Sequence, residues 1–184
     1  LSEALLDFKF NLFSEADPAV AANTAFQLYE SGILNDASKM EASEMLLECG
    51  SPDKAILMIG SIENIEFRVA ASQLAATSAK AIKNIESQAD AWRLIADRFG
   101  VQDADLLIAA SRMYSAGRHT EVIDLLAERD SDELERSLGL LLARSYFTVE
   151  EYDNCLNVSR SMLERHPDDQ DVLRLIIRSK RRQG

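Results

Sequence analysis

Residues 135–168 read ERSLGLLLARSYFTVEEYDNCLNVSRSMLERHPD and contain the clearest structural signal in the chain. Two runs of apolar residues with helical spacing lie on either side of a short break at Glu150. The second run ends ahead of Pro167, a residue that cannot continue a helix. Because so short a break leaves room only for a reversal, the stretch predicts two antiparallel helices.

Similar breaks return every 33 or 34 residues along the chain. Each is followed about five positions later by a small or short residue. The breaks are at Ala16, Gly50, Asn84, Gly117 and Glu150, and the residues that follow are Ala21, Ala55, Ala89, Val122 and Cys155. This period predicts stacked helical hairpins, in which small residues let paired helices approach closely and each hairpin buries its apolar face against the next.

The apolar spacing is helical nearly throughout and predicts eleven helices, with no convincing strand. They cover 2–13, 18–31, 36–49, 52–61, 65–81, 86–99, 103–116, 119–129, 132–147, 151–165 and 169–182. Asp17 and Ser51 each precede a proline and are expected to cap the helices that follow. The acidic segment 130–133 offers caps for the ninth helix. Helix ends are expected at Gly32, Gly50, Gly100 and Gly117.

Residues 135–168 resemble a tetratricopeptide repeat, the helix-turn-helix unit of about 34 residues. The resemblance is carried by Leu142, Ala143, Tyr146, Tyr152, Cys155, Met162 and Pro167. A looser match precedes it, through Leu106, Ala109, Ala110, Met113, Gly117, His119, Val122 and Leu126. Residues 39–62 match through Ala42, Leu46, Gly50, Ala55, Ile56 and Ile59, and the two remaining units match only in where small residues fall.

The resemblance implies an all-α fold, a right-handed α-solenoid of about five repeats with a C-terminal capping helix. The chain would then be a single domain over 1–184, with repeats at 2–34, 35–66, 67–101, 102–133 and 134–167 and the capping helix at 168–182. A related array of helical pairs is the alternative, because no unit has the signature tryptophan of the family.

Charge and composition exclude several classes of protein. The formal net charge of −11 argues against a general nucleic-acid or anionic-membrane binder, and no run of apolar residues is long enough to span a bilayer. Cys49 and Cys155 are too few and too far apart for a disulfide framework, which favours a reducing compartment and a cytoplasmic location. Because the chain begins at Leu1 rather than methionine, we expect it to be an excised piece of a larger protein or a processed product.

The last predicted helix combines an apolar side with a basic one. Val172, Leu173, Ile176 and Ile177 are expected to face inward, with the arginines outward. Five bases with no acid among them lie at Arg174, Arg178, Lys180, Arg181 and Arg182. They are explained either by the negative end of the helix dipole or by docking of an acidic partner or a phosphate.

No constellation of catalytic, cofactor-binding or metal-binding residues is recognisable, so the sequence predicts a protein that is not an enzyme and holds no cofactor. His119 and His166 are 47 positions apart and have no partner at metal-ligand spacing. We expect both to pack or to cap helix ends. Paired acids such as Glu150 and Glu151 fall at helix starts, where the dipole accounts for them.

The resemblance also implies that the first helix of each repeat lines a concave groove. The residues that it places there are Leu6, Phe10, Phe13, Met40, Glu44, Leu47, Leu107, Ser111, Tyr114, Leu140, Arg144 and Phe147. The middle unit supplies Gln73, Thr77 and Lys80 instead. Such a surface suits a protein or peptide segment with hydrophobic anchors. Burial of the stripe between adjacent helices, and self-association through it into a homo-oligomer, are the other interpretations.

Four functional hypotheses follow. The first is a non-catalytic adaptor or scaffold module that docks a partner segment. The second is a dedicated chaperone, since small acidic helical-repeat chaperones of type III secretion resemble this chain in size and charge. The third is a helical accessory region of an enzyme, which positions substrate or holds subunits together. The fourth is symmetric self-assembly of two arrays.

Overall fold

The computed structural model describes residues 18–129 and 134–184 of the chain. Of these residues 78% are helical and none lies in a strand, so the predicted all-α class is confirmed for them. The ten α-helices described are α1 (Pro18–Glu30), α2 (Asp36–Glu48), α3 (Pro52–Gly60), α4 (Arg68–Ala81), α5 (Ile85–Arg98), α6 (Asp103–Ser115), α7 (His119–Leu126), α8 (Arg136–Thr148), α9 (Tyr152–Arg165) and α10 (Gln170–Gln183). The predicted helix at 2–13 lies outside the described residues.

Three helix limits differ from the prediction by three residues or more. Residues Ile65–Phe67 form a 3-10 turn, because the Asn64 side chain accepts a hydrogen bond from the Glu66 N–H at 3.0 Å and tightens the chain. Helix α7 ends at Leu126, whose carbonyl is bonded by the N–H of Arg129 in a turn. Helix α8 begins at Arg136 rather than at 132, after a non-helical Leu134.

One predicted cap is wrong. Ser51 makes no side-chain capping bond, because its N–H closes the preceding turn onto the Leu46 carbonyl at 2.8 Å and its backbone (φ −115°, ψ 57°) is not in the extended geometry of a capping residue. The caps predicted at Asp17 and in segment 130–133 lie outside the described residues.

The backbone divides into two compact units, Leu1–Gly100 and Val101–Gly184. In the first unit each of the helices α1 to α5 packs against the next, and α1 also meets α3, α2 meets α4 and α3 meets α5. The core of this unit includes five large side chains that are at most 1% exposed: Leu46, Met58, Ile59, Trp92 and Ile95. The single domain over 1–184 stays a prediction.

In the second unit the order of packing is similar. Helices α6 to α10 each pack against the next in sequence, and α8 also meets both α6 and α10. Fully buried side chains of this core are Met113, Val122, Leu126, Met162 and Val172. Consecutive packing of this kind makes each helix depend on its neighbours for burial of its apolar face.

The small residues that mark the sequence period are all core residues. Ala55, Ala89, Val122 and Cys155 have no exposed surface, and Ala21 is 1% exposed. Each is the fourth or fifth residue of its helix. Their burial agrees with the close approach of paired helices that the spacing predicts.

The breaks at Gly50, Gly117 and Glu150 share one backbone turn. At Gly50 the N–H bonds the Leu47 carbonyl at 3.0 Å and the next N–H reaches Leu46; at Glu150 the corresponding bonds run to Phe147 and Tyr146. This pair of bonds ends a helix with a residue of positive φ, here 74° at both glycines and 65° at Glu150. Asn84 differs, because its side chain caps α5 by accepting from the Ser87 N–H at 3.0 Å.

Candidate partner-binding surfaces

The predicted groove residues of the first unit fall partly outside the described chain. Leu6, Phe10 and Phe13 lie outside the described residues. On α2, Met40 is buried, Leu47 is half-buried and Glu44 is exposed. On α4, which packs against α2, the polar trio Gln73, Thr77 and Lys80 is exposed.

In the second unit the predicted residues lie on two helices that are in contact, α6 and α8. On α6, Leu107 is 36% exposed, while Ser111 and Tyr114 are half-buried. On α8, Leu140 is buried, Arg144 is exposed and Phe147 is half-buried. The two helices therefore present a mixed surface, in which Leu107 is the most accessible of the predicted apolar anchors.

The two aromatic residues of this surface are held by their own unit. The ring of Tyr114 meets His119 edge-on, with ring centroids 4.9 Å apart. Phe147 meets Tyr152 in the same manner at 5.6 Å, and the guanidinium of Arg178 lies over its ring at 4.8 Å. Such contacts stabilise aromatic rings in place. Both rings thus contribute to helix packing as well as to the surface.

Helix α10 presents a different face to solvent from the one predicted. Val172, Leu175 and Ser179 are buried, whereas Ile177 is 51% exposed, so its expected inward position is wrong. Residue 177 is two positions from both 175 and 179, and at about 100° per residue that places it opposite the buried side. Leu173 and Ile176 are half-buried at the flanks.

The start of α10 is bound to the start of α8 by an ion-pair network. The Arg136 guanidinium donates to Asp169 through Nε at 2.6 Å and through Nη2 at 3.0 Å, and also reaches Asp171 at 3.3 Å. The Asp169 carboxylate, 5% exposed, caps α10 by accepting from the N–H groups of Asp171 and Val172. Hydrogen bonds from Arg136, stronger in effect than burial, lower the pKa of Asp169 below its ordinary value.

A second network is formed at the start of α2. The Asp36 carboxylate accepts from Lys39 Nζ at 2.9 Å and from the N–H groups of Glu63 and Asn64 at 3.0 and 2.7 Å. Lys39 donates in addition to the Ser61 carbonyl. Burial raises the pKa of Asp36, but the bonds from Lys39, Asn64 and Glu63 together outweigh it and leave the pKa below its ordinary value. The network ties α2 to the segment that links α3 and α4.

The histidines and cysteines occupy helix ends and core positions. His119 begins α7 and packs on Tyr114, and His166 follows the last residue of α9. Cys155 is buried, with its Sγ 3.2 Å from the Ser179 hydroxyl. Burial raises the pKa of the Cys155 thiol, which hydrogen bonds with Ser179 and Ser159 offset only in part. Cys49 is half-buried at the end of α2.

In the described ranges, 18–129 and 134–184, no cluster of three or more His, Cys, Asp or Glu side chains is placed to hold a metal ion. Nor does any helix in these ranges have the length and apolar character needed to cross a membrane. No protein-family model, curated protein or solved structure matches this chain.

Proposed function

We propose that this chain is a tetratricopeptide-like, right-handed α-solenoid of about five helical hairpins and a capping helix, acting as a non-catalytic adaptor or scaffold module. In this proposal a segment of a partner protein lies along the first helices of the hairpins. Three features support the array: consecutive helix packing in each unit, burial of the periodic small residues, and the shared turn at Gly50, Gly117 and Glu150.

The docking role rests on one observation, the exposed Leu107 beside half-buried Ser111 and Tyr114 on α6. An apolar side chain with aromatic support and a small neighbour offers a partner side chain both area and room. Arg144 is exposed on the adjoining α8, where its Nη2 lies 4.0 Å from the Asp171 carboxylate. Such a site favours an apolar anchor on the partner segment.

A photo-crosslinking amino acid at position 107 tests this role in an extract of the source cells. The matched control is the same amino acid at Leu57, an exposed leucine of α3. We expect crosslinks at 107, mapped by mass spectrometry to a partner segment with apolar side chains, and their loss when Ser111→Arg fills the neighbouring space. Equal yields at both positions, or crosslinks that survive Ser111→Arg, would remove the proposal.

The chaperone, accessory-region and self-assembly hypotheses, and the cytoplasmic location, stay predictions, since no feature of the described residues favours one of them. Among the predicted groove residues, Met40 and Leu140 are buried and Phe147 is half-buried in its own unit. Only a small part of each side chain is therefore accessible to a partner.

A further inference from the structure

We propose that α10 carries a second docking surface, which takes a short acidic segment of another protein with an apolar side chain at its centre. The surface consists of Leu173, Arg174, Ile177, Lys180 and Arg181 and is called the basic face below. It is separate from the first-helix surface on α6 and does not depend on it.

The geometry of α10 puts these five residues together. Its buried side is defined by Val172, Leu175 and Ser179, and Ile177 lies opposite, 51% exposed. Residues three or four positions apart are neighbours on a helix, so Leu173 and Arg174 precede Ile177 on its face and Lys180 and Arg181 follow it. An apolar side chain is thereby surrounded by three cations.

The cations of the basic face are available for a partner. Arg174, Lys180 and Arg181 are exposed, and none of them forms an ion pair with another residue of the described chain. Arg136 and Lys39, by contrast, are held by Asp169 and Asp36. Three exposed cations next to an exposed isoleucine form a site with charge complementary to an acidic segment.

The helix dipole does not explain the whole face. Cations in the last turn of a helix are stabilised by the unpaired carbonyl groups there, and this accounts for Lys180 and Arg181. Arg174 is the fifth residue of α10, well outside that turn, and the dipole gives no reason for Ile177 to be exposed. Binding of a partner accounts for both residues.

The surroundings favour a short protein segment over a membrane or a nucleic acid. The apolar side of α10 is packed against α9, so it has no wide apolar face to insert between lipids. From Arg174 to Arg181 the face is about 10 Å long, which three or four extended residues would cover. Acidic Asp171 and Asp153 lie near its two ends, the latter bonded to Gln183, and would repel a longer polyanion.

The test is a fluorescence-anisotropy titration of this chain with a fluorescein-labelled peptide in which glutamates flank a central leucine. The informative variant is Arg174→Glu with Arg181→Glu. Its matched control is Arg68→Glu with Lys83→Glu, which changes the net charge equally at exposed positions of the first unit. Circular dichroism verifies that each variant is folded, and Ile177→Ser tests the apolar centre at a position where exposure makes the change tolerable.

We expect the α10 double variant to weaken binding about tenfold or more, Ile177→Ser about threefold, and the control pair less than about twofold. Variants of Leu107 and Ser111 should leave binding unchanged, which separates this proposal from the adaptor role. The proposal is overturned if the control pair weakens binding equally, if a peptide with glutamine for glutamate binds as well, or if Ile177→Ser has no effect. Tighter binding of phosphatidylserine vesicles or oligothymidine through the same arginines would also overturn it.

Discussion

Arg136 and Asp169 lie 33 positions apart, one repeat period, and bind each other through two charged hydrogen bonds of 2.6 and 3.0 Å. Asp169 is at the same time the N-cap of α10. A single carboxylate therefore satisfies backbone N–H groups of one helix and a cation at the start of another. This makes it one of the points at which α10 is fixed to α8.

Replacing Asp169 should separate the two contributions of its carboxylate. We expect Asp169→Ala to lower the free energy of unfolding by about 1 to 2 kcal/mol, mainly through loss of the cap. Asp169→Asn keeps an oxygen for the cap and should lose less than half as much stability as Asp169→Ala does. The reason is that Arg136 is 45% exposed, and an ion pair in contact with water contributes little. Urea unfolding followed by circular dichroism measures both. Equal losses would show that the ion pair is the larger contribution.

The same carboxylate should make stability depend on acid. Hydrogen bonds from Arg136 and two backbone N–H groups lower the pKa of Asp169. The Asp169 carboxylate therefore stays ionised in the folded chain at a pH where the same carboxyl of the unfolded chain already binds a proton. The contribution of Asp169 to the free energy of unfolding is therefore complete above the unfolded pKa of about 4, and it is lost as the pH falls through the lower pKa of the folded chain. Asp36 adds a contribution of the same sign.

Urea unfolding of Asp169→Asn and Asp36→Asn at several pH values between neutral and about 3 gives the measurement. We expect each variant to lose less stability on acidification than the unaltered chain does, and the double variant to lose least. An acid slope that is identical in all four proteins would contradict this assignment.

Local features of the fold could be predicted from the sequence, because they depend on residues close together in the chain. The period of small residues located Ala55, Ala89 and Cys155 in the core. The glycines marked true helix ends, since the positive φ at Gly50 and Gly117 is disfavoured for other residues. At Asn84 the break is formed by a side-chain cap instead of a turn with positive φ, and the spacing alone did not distinguish these two kinds of break.

Features that depend on a neighbouring helix could not be predicted. Five of the six residues 172–177 are apolar and cover most of the circumference of α10, so spacing could not select its inner side. Packing on α9 selects it, with Ser179 inward beside Cys155 and Ile177 outward. The exposure of Leu107 and the shielding of Phe147 by Arg178 are likewise set by partners from other helices.

Glu150 occupies a position that is glycine in the two equivalent turns, at Gly50 and Gly117. Its φ of 65° places a side chain where the backbone crowds it, and Gly50 and Gly117 avoid that cost. We expect Glu150→Gly to raise the free energy of unfolding by about 0.5 to 1 kcal/mol. Thermal or urea unfolding measures the change.

The reverse substitution, Gly117→Glu, is the matched control for this turn. Apart from residue 117 and its two neighbours in the chain, no atom lies within 4 Å of the place where a Cβ at 117 would be, so the cost of the added side chain lies in the backbone conformation. It should lower stability by a similar amount. Two changes of the same sign would show that the turns at 117 and 150 are not equivalent.

Ala89 tests whether the periodic small residues hold paired helices together. It is fully buried on α5, three positions before Trp92 and on the same side of the helix. A leucine there adds three heavy atoms to a filled space, so Ala89→Leu should lower the free energy of unfolding by about 1 to 3 kcal/mol. Ala70→Leu, on the exposed side of α4, should change it by less than about 0.5 kcal/mol. The fluorescence of Trp92 provides the measurement. Because Trp92 is the chain's one tryptophan and is fully buried, the red shift of its fluorescence in urea reports unfolding of the first unit directly. If both leucine variants unfolded at the same urea concentration as the unaltered chain, close approach at position 89 would not be what the repeated alanine provides.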